Sequence, residues 1–307
     1  MKIDINKASR ILRNGDLVIF PTETVYGLGA NANNQKAIER IYKIKNRPKY
    51  NPLICHFYNI SKIKENFFLN DTALKLAKNF WPGPLTLILE KKNSSKINLS
   101  VSNGKKFIGC RIPKHPIAQR LLRNLNFPIA APSANISNKL SSTNIGHLSK
   151  RLKENTFIIN GGESEYGLES TVINAQNNSI RILRLGSITY EQIKMIDPNV
   201  IIENNIVSGL SPGLQKKHYS PNLPLRINVD NVYKGESLLN FGKNNLKSDI
   251  LELNLSLNSN LEEAAKNLYD FMHILDESKS IGIAAAPIPN CNLGKTINDR
   301  LIRASSN

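Results

Sequence analysis

Cysteine is scarce in this chain. Cys55, Cys110 and Cys291 form no C-x-x-C pair and leave an odd count, which argues against both a disulfide framework and a cysteine-rich zinc module and fits a reducing compartment. Long apolar runs are absent too: nothing reaches the roughly 20 residues that a membrane span needs. The polar start MKIDINKASR lacks the apolar centre of a signal peptide, so a soluble, intracellular, cytoplasmic protein is expected. Acidic residues are few, with 24 Asp and Glu against 41 Lys and Arg, for a net charge of +17. A field of that sign attracts nucleotides, nucleic acid or anionic lipid without needing a specific site. Much of the lysine accompanies asparagine and isoleucine, as in KKNSSKINLS, so compositional drift supplies part of the excess.

Several catalytic signatures are also missing. No G-x-G-x-x-G stands between a strand and a helix as a dinucleotide fingerprint requires, and zinc-protease spacing does not occur. Gly294, Lys295 and Thr296 spell the end of a P-loop, but the first glycine that motif needs is replaced by Pro289, which lacks the donor and the backbone freedom to cradle a phosphate.

What is present is globular: 40% hydrophobic and 21% charged residues over 307 positions, a length that suits two domains. Strands are expected at 17–20, 85–89, 107–112, 157–159, 171–173 and 180–183, with helices at 72–80 and 116–124, giving an α/β domain with a twisted, mixed sheet. Alternation along 107–112 puts Phe107, Gly109 and Arg111 on one face and Ile108, Cys110 and Ile112 on the other, so Arg111 points away from the more apolar side. Loop-forming residues dominate 206–224, the candidate linker. Beyond it, strands at 225–229, 238–241, 250–253 and 281–285 alternate with a helix from about Leu261 and another following Lys295, a small Rossmann-like parallel sheet. Phe271 and Met272 belong to the core of that helix. The expected division is 1–205, linker 206–224, and 225–307.

Two motifs flank one amphipathic segment. PTETVYGLG (21–29) carries the hydroxyls of Thr22 and Thr24 where a strand gives way to a loop. Ala37, Ile38, Ile41 and Ile44 then recur at helical spacing, with Asn33 or Asn34 as cap and Pro48 just past the end. KNRPKYNPLICH (45–56) follows, and Lys45 with Arg47 suits a polyanion, the guanidinium as a planar fork and the ammonium as a compact charge. The same pair also fits a solvated, cationic helix end. APSANIS (131–137) offers small residues and hydroxyls that a ligand could approach, or a polar turn satisfied locally. LESTV (168–172) puts Ser170 and Thr171 at a strand start, and Arg184 ends another strand. His56 alone also suits a purely structural histidine.

In combination, PTETVYGLG, K-x-R-P with N-P-L-x-x-H, R-I-P-x-H-P, PSANIS, LESTV and the Arg184 segment follow one order, and the chain resembles the YrdC-like family of threonylcarbamoyl-AMP synthases over residues 3–196. SPGLQKKHYSP (211–221) resembles the linker of that family's two-domain form, and GKTINDRLIRAS the end of its accessory domain. The resemblance implies synthesis of threonylcarbamoyl-adenylate and pyrophosphate from threonine, bicarbonate and ATP with Mg2+, for modification of the adenosine beside a tRNA anticodon by downstream transfer proteins. It implies Thr24, His56, Arg111, Ala131 and Thr171 around threonine, Ala131 through its backbone, and Arg47, Asn51, Phe107, Ser133, Ser141 and Arg184 at ATP, Phe107 through its main chain, with Lys45 nearby and Lys45, Arg47 and Arg111 as the catalytic set. Lys217, His218 and Tyr219 would form a lid, the last two against ATP, and magnesium would be held by phosphates, with no protein cage. Two departures stand out: Leu185 replaces the usual proline after Arg184, and Asn138 a glycine common after Ser137. The accessory domain leaves little room for a helix between 241 and 250. A rival reading is an RNA-binding maturation factor with a vestigial nucleotide pocket; direct tRNA binding would be weak. Another is carbamoyl transfer in hydrogenase maturation, disfavoured because the zinc motifs and further domains of those larger proteins are missing.

Overall fold

The computed structural model describes residues 4–176, 179–203 and 218–306. The first helix, α1 (Ile5–Arg13), buries Ile5, Ala8 and Leu12 at helical spacing under an Asp4 cap; the sequence reading assigns nothing there. The strand expected at 17–20 is β1 (Val18–Phe20), and it turns back antiparallel into β2 (Gly27–Asn31). PTETVYGLG is therefore a hairpin, its hydroxyls in the loop and its glycines in the return strand.

Helix α2 (Gln35–Lys45) is capped by Asn34, whose side chain accepts from the Ala37 amide, a contact worth about 1 kcal/mol. At its other end Asn46 adopts the left-handed conformation, φ 51°, which the short polar side chain tolerates better than most. Next come β3 (Ile54–His56), α3 (Ile60–Asn66), β4 (Phe67–Phe68), α4 (Asp71–Phe80), β5 (Leu85–Lys91), β6 (Phe107–Arg111), α5 (Pro116–Arg123) and β7 (Ile129–Ala131). The first domain continues with α6 (Lys150–Asn155), β8 (Phe157–Ile158), β9 (Thr171–Asn174), β10 (Arg181–Arg184), α7 (Tyr190–Lys194) and β11 (Ile201–Ile202).

These strands form one mixed sheet in the order β11-β10-β9-β5-β6-β3-β7-β2-β1-β8, with β4 on β5. Parallel pairing of β3 with β6 sets His56 opposite Arg111, on neighbouring strands about 4.8 Å apart. Ile108 and Cys110 turn into the main core, while Arg111 on the opposite face meets polar partners, as the alternation requires.

The second sheet is all parallel in the order β12 (Leu225–Arg226), β15 (Gly282–Ala285), β13 (Glu236–Asn240), β14 (Glu252–Asn254). Helix α8 (Leu261–Asp276) follows β14, and α9 (Asn292–Ser305) begins before Lys295. No helix separates β13 from β14, so this parallel pair is joined by loop alone. The core of this sheet is not sealed off: Val25, Leu140 and Leu168 of the first domain pack into the same cluster as Leu268, Tyr269 and Leu301.

Candidate active site

A cavity of about 530 Å³, counting space open to solvent, lies at the hairpin loop and the ends of β3, β6, β7 and β10. Its wall includes nine of the site residues that the resemblance implies, Thr24, Arg47, His56, Arg111, Ala131, Ser133, Arg184, His218 and Tyr219, and also Thr22 and Ser170.

One side is built by the hairpin. Thr22 Oγ donates to the Val25 carbonyl at 2.6 Å and accepts from the Thr24 amide at 3.2 Å, folding the loop back on itself. Arg111 reaches this loop, donating to Thr24 Oγ at 2.8 Å and to Glu23 at 2.6 Å, and its Nε donates to the Gly83 carbonyl at 3.3 Å. Both members of the Arg111–Glu23 pair are buried. Burial alone would raise the Glu23 carboxyl, but the Arg111 charge and hydrogen bond outweigh it and hold the group below its ordinary range. The sequence analysis assigns no role to Glu23; the signal available is a carboxylate between two threonines in PTETVYGLG, and its partner Arg111 lies 88 positions away.

His56 is buried edge-on to Phe20. Its Nδ1 lies 3.1 Å from the Ile54 carbonyl and 3.3 Å from that of Ile129. Carbonyls only accept, so Nδ1 carries the proton and Nε2 is left as an acceptor. Burial, then the Arg111 charge, pushes the His56 pKa down to about 3, so the ring is neutral at physiological pH.

Another part of the wall is cationic. Arg47 is fixed by donating from Nε to the Asn51 carbonyl at 3.0 Å and from a terminal nitrogen to the Pro52 carbonyl at 2.8 Å. Arg184 donates to the Ser170 carbonyl at 2.6 Å and its hydroxyl at 3.2 Å. Gly186 allows this packing, because a Cβ there would lie 2.4 Å from the Thr171 nitrogen and 2.5 Å from the Glu169 carbonyl oxygen. His218 and Tyr219 cover this side, both buried, with rings 3.9 Å apart. Burial lowers the His218 pKa, as do the nearby arginines, Arg47 foremost. Lys217 and the rest of 206–217 lie outside the described residues.

Five expected site residues stand off the cavity wall. Lys45 lies on the buried face of α2, at i+4 from Ile41, so the solvated helix end does not form. Its ammonium donates to the Ser133 carbonyl at 2.7 Å and to the Asn135 carbonyl, clamping the PSAN loop. Burial pushes its pKa well down. Asn51 serves through its carbonyl, which holds Arg47. Thr171 donates its hydroxyl to the Ile188 carbonyl at 2.6 Å. Ser141 donates to Glu169 at 2.6 Å. Phe107 opens β6 and packs with Ile88, Val172 and Leu183, about 13 Å along the strand from Arg111. The wall instead uses Glu169 and Ser170 beside Thr171. The glycine-lysine-threonine triplet is structural: Lys295 pairs with Glu191 at 2.6 Å and Thr296 donates to the Gly186 carbonyl at 3.0 Å.

Residues 10–186 match the family model described as telomere recombination, which groups Sua5, YciO and YrdC, and residues 188–306 match one described as the threonylcarbamoyl-AMP synthase C-terminal domain. A threonylcarbamoyl-AMP synthase of Bacillus subtilis is 35% identical, covering 98% of this chain and 92% of its own length. One from Pyrococcus abyssi is 33% identical over 98% of this chain and 94% of its own. The crystal structure of P. abyssi Sua5 complexed with L-threonine superposes with a TM-score of 0.89 at 32% identity, covering 99% of this chain and 96% of that one. Escherichia coli YciO, at 28% identity and a TM-score of 0.54, covers 59% of this chain and 88% of its own.

Proposed function

The chain belongs to the Sua5, YciO and YrdC family of threonylcarbamoyl-AMP synthases, in the form that carries the C-terminal domain, and from that membership and the cavity we propose that it makes L-threonylcarbamoyl-adenylate and pyrophosphate from L-threonine, bicarbonate and ATP. The observation that carries the reading is one cavity with an uncharged, acceptor-bearing histidine and an anchored arginine on one side and two further arginines on the other. The first side suits an amino acid and the second a polyphosphate.

Three of the five Arg111 N–H groups make the bonds to Gly83, Glu23 and Thr24, leaving two for the threonine carboxylate. Glu23 and Gly83 fix the guanidinium plane before substrate arrives, so orientation does not have to be established at binding. His56 is too weak a base to take a proton at neutral pH. Its Nε2 lone pair instead accepts a hydrogen bond from the threonine hydroxyl or ammonium, while the Ala131 backbone closes the pocket.

The amine of threonine attacks bicarbonate carbon and, with loss of water, gives a carbamate. A carbamate oxygen then attacks the α-phosphorus, the α–β phosphoanhydride bond breaks, and pyrophosphate leaves. The new species is a mixed anhydride. Arg47 and Arg184 oppose the charge that builds on the phosphates in that step, and Ser133 and Ser170 supply hydroxyls beside them. Lys45 acts through the PSAN loop it clamps. Magnesium is proposed to enter on the ATP phosphates as part of the substrate: Glu169 on the cavity wall is already held by Arg300, and Glu23 beside it by Arg111, so phosphate oxygens are the better ligands. His218 and Tyr219 would exclude water from the labile product. Transfer to tRNA by downstream proteins, and weak direct contact with tRNA, belong to the same proposal.

The test is incubation of the purified full chain with MgATP, bicarbonate and labelled threonine, following pyrophosphate and threonylcarbamoyl-adenylate together. Product that requires all three substrates is expected. Pyrophosphate released without threonine would indicate another acceptor. A folded, ATP-binding protein with no turnover, whose RNA affinity falls steeply with salt, would replace this reading with that of an RNA-binding factor.

A further inference from the structure

Arg300 lies on α9 of the second domain and is 1% exposed. Its Nε donates to Glu169 at 2.9 Å, one terminal nitrogen donates to the Leu185 carbonyl at 2.6 Å, and the other pairs with Asp299. The guanidinium carbon also sits 4.8 Å from the centre of the Tyr219 ring. These contacts reach three segments of the cavity wall: Glu169 with Ser170, the residue after Arg184, and Tyr219 with His218. Tyr269 of α8 adds a second grip on Glu169, at 2.9 Å. The threonine side is built differently, since Thr24, Glu23, Arg111, His56 and Ala131 are joined within the first domain.

We propose that Arg300 is a positioning residue for the nucleotide half of the site, so that the second domain sets the geometry in which ATP is held. This inference rests on the synthase reading above. The physical reason is the planar fork, which meets a carboxylate and a carbonyl at once while its face lies against a ring. A lysine ammonium could neutralise Glu169 yet could not make the other contacts.

Arg300→Lys in the full chain is the discriminating variant, because it keeps the charge opposite Glu169. Expected are a rise of about tenfold or more in KM for ATP and an unchanged threonine affinity measured by calorimetry without ATP. Should Arg300→Lys fail to fold, the double variant Arg300→Met with Glu169→Gln removes both buried charges and carries the same expectation. Wild-type KM for ATP in whichever variant folds overturns the proposal. So does a parallel loss of threonine and ATP affinity, which signals a general structural role. If the wild-type chain makes no product, the synthase reading fails by itself, and calorimetry with ATP in place of turnover still decides whether Arg300 supports nucleotide binding.

Discussion

At the scale of single residues, the site depends on polar groups buried in pairs. Arg111→Ala would leave the Glu23 carboxylate buried without its cation, a loss expected to cost about 3–5 kcal/mol and to abolish threonine binding. Arg111→Met with Glu23→Gln should recover much of the melting temperature but none of the threonine affinity; unchanged affinity in either variant, by calorimetry, would remove Arg111 from the proposed role. Lys45 poses a different problem. Its ammonium joins the carbonyls of Ser133 and Asn135, so Lys45→Met should leave buried acceptors unmet, cost about 1–3 kcal/mol in urea unfolding, and weaken both substrates through the displaced PSAN loop. A variant as stable and as active as wild type would show that the clamp is dispensable. The position of Lys45 was legible in the spacing Ile38, Ile41, Lys45, which places it on the apolar face; its partners were not, being some ninety positions away.

Many elements end and turn here through asparagine. Asn34, Asn59, Asn70 and Asn260 cap helices with their side chains, and Asn46, Asn103, Asn138, Asn228 and Asn292 take positive φ. The asparagine-rich composition thus performs the work that serine and glycine do in many chains. Asn138, at φ 67°, stands where the family commonly has glycine, and its carbonyl receives the Ser220 amide at 2.8 Å, tying the PSAN loop to the segment carrying His218 and Tyr219. Asn138→Gly should therefore be nearly neutral, whereas Asn138→Ala should cost about 1–2 kcal/mol in chemical denaturation. Equal stability of wild type and Asn138→Ala would mean that this turn does not hold its left-handed form in solution. The strands expected at 85–89 and 171–173 and the helix expected at 116–124 formed with ends shifted by a residue or two. Strand β2 was not expected, because its glycine-rich sequence carries no β-branched signal and forms by pairing with β1 and β7.

The whole molecule couples its two sheets through a pair of half-buried histidines as well as Arg300. His147 of the first domain stacks on His273 of α8 with centroids 4.0 Å apart and meets Asp270 at 3.0 Å. Burial, with the neighbouring His273 second, pushes the His147 pKa down to about 4, and burial lowers that of His273. Because the folded state resists protons that the unfolded chain accepts near pH 6.5, stability is full above that pH and falls as pH drops towards about 4. His56, depressed to about 3, extends the loss further down. Glu23 and Glu169, held low by Arg111 and Arg300 against burial, add theirs only as pH falls below the ordinary carboxyl value of 4.5. Melting temperatures measured from pH 7.5 down should decline already between about 6.5 and 5, and His147→Gln should flatten that part of the curve; a level profile in the wild type would contradict the neutral state of these rings. Among the described residues no helix is long and apolar enough to cross a membrane.

By itself the sequence determined the α/β class, the parallel second sheet, and the motifs whose order identifies the family, because periodicity, caps and short motifs are local properties of the chain. The family resemblance that those motifs carry also pointed to Thr24, Arg47, His56, Arg111, Ser133 and Arg184, each of which lies within a short, locally readable motif or segment. Only the tertiary structure decided which of them face one cavity. It withdrew Lys45, Asn51, Thr171, Ser141 and Phe107 from the wall, placed Glu169 in it and Glu23 against Arg111, and brought Arg300 from the far end of the chain. The reason is that a buried charge must find its partner wherever the fold supplies one, and nothing in the sequence around Glu169 states that its partner lies on α9.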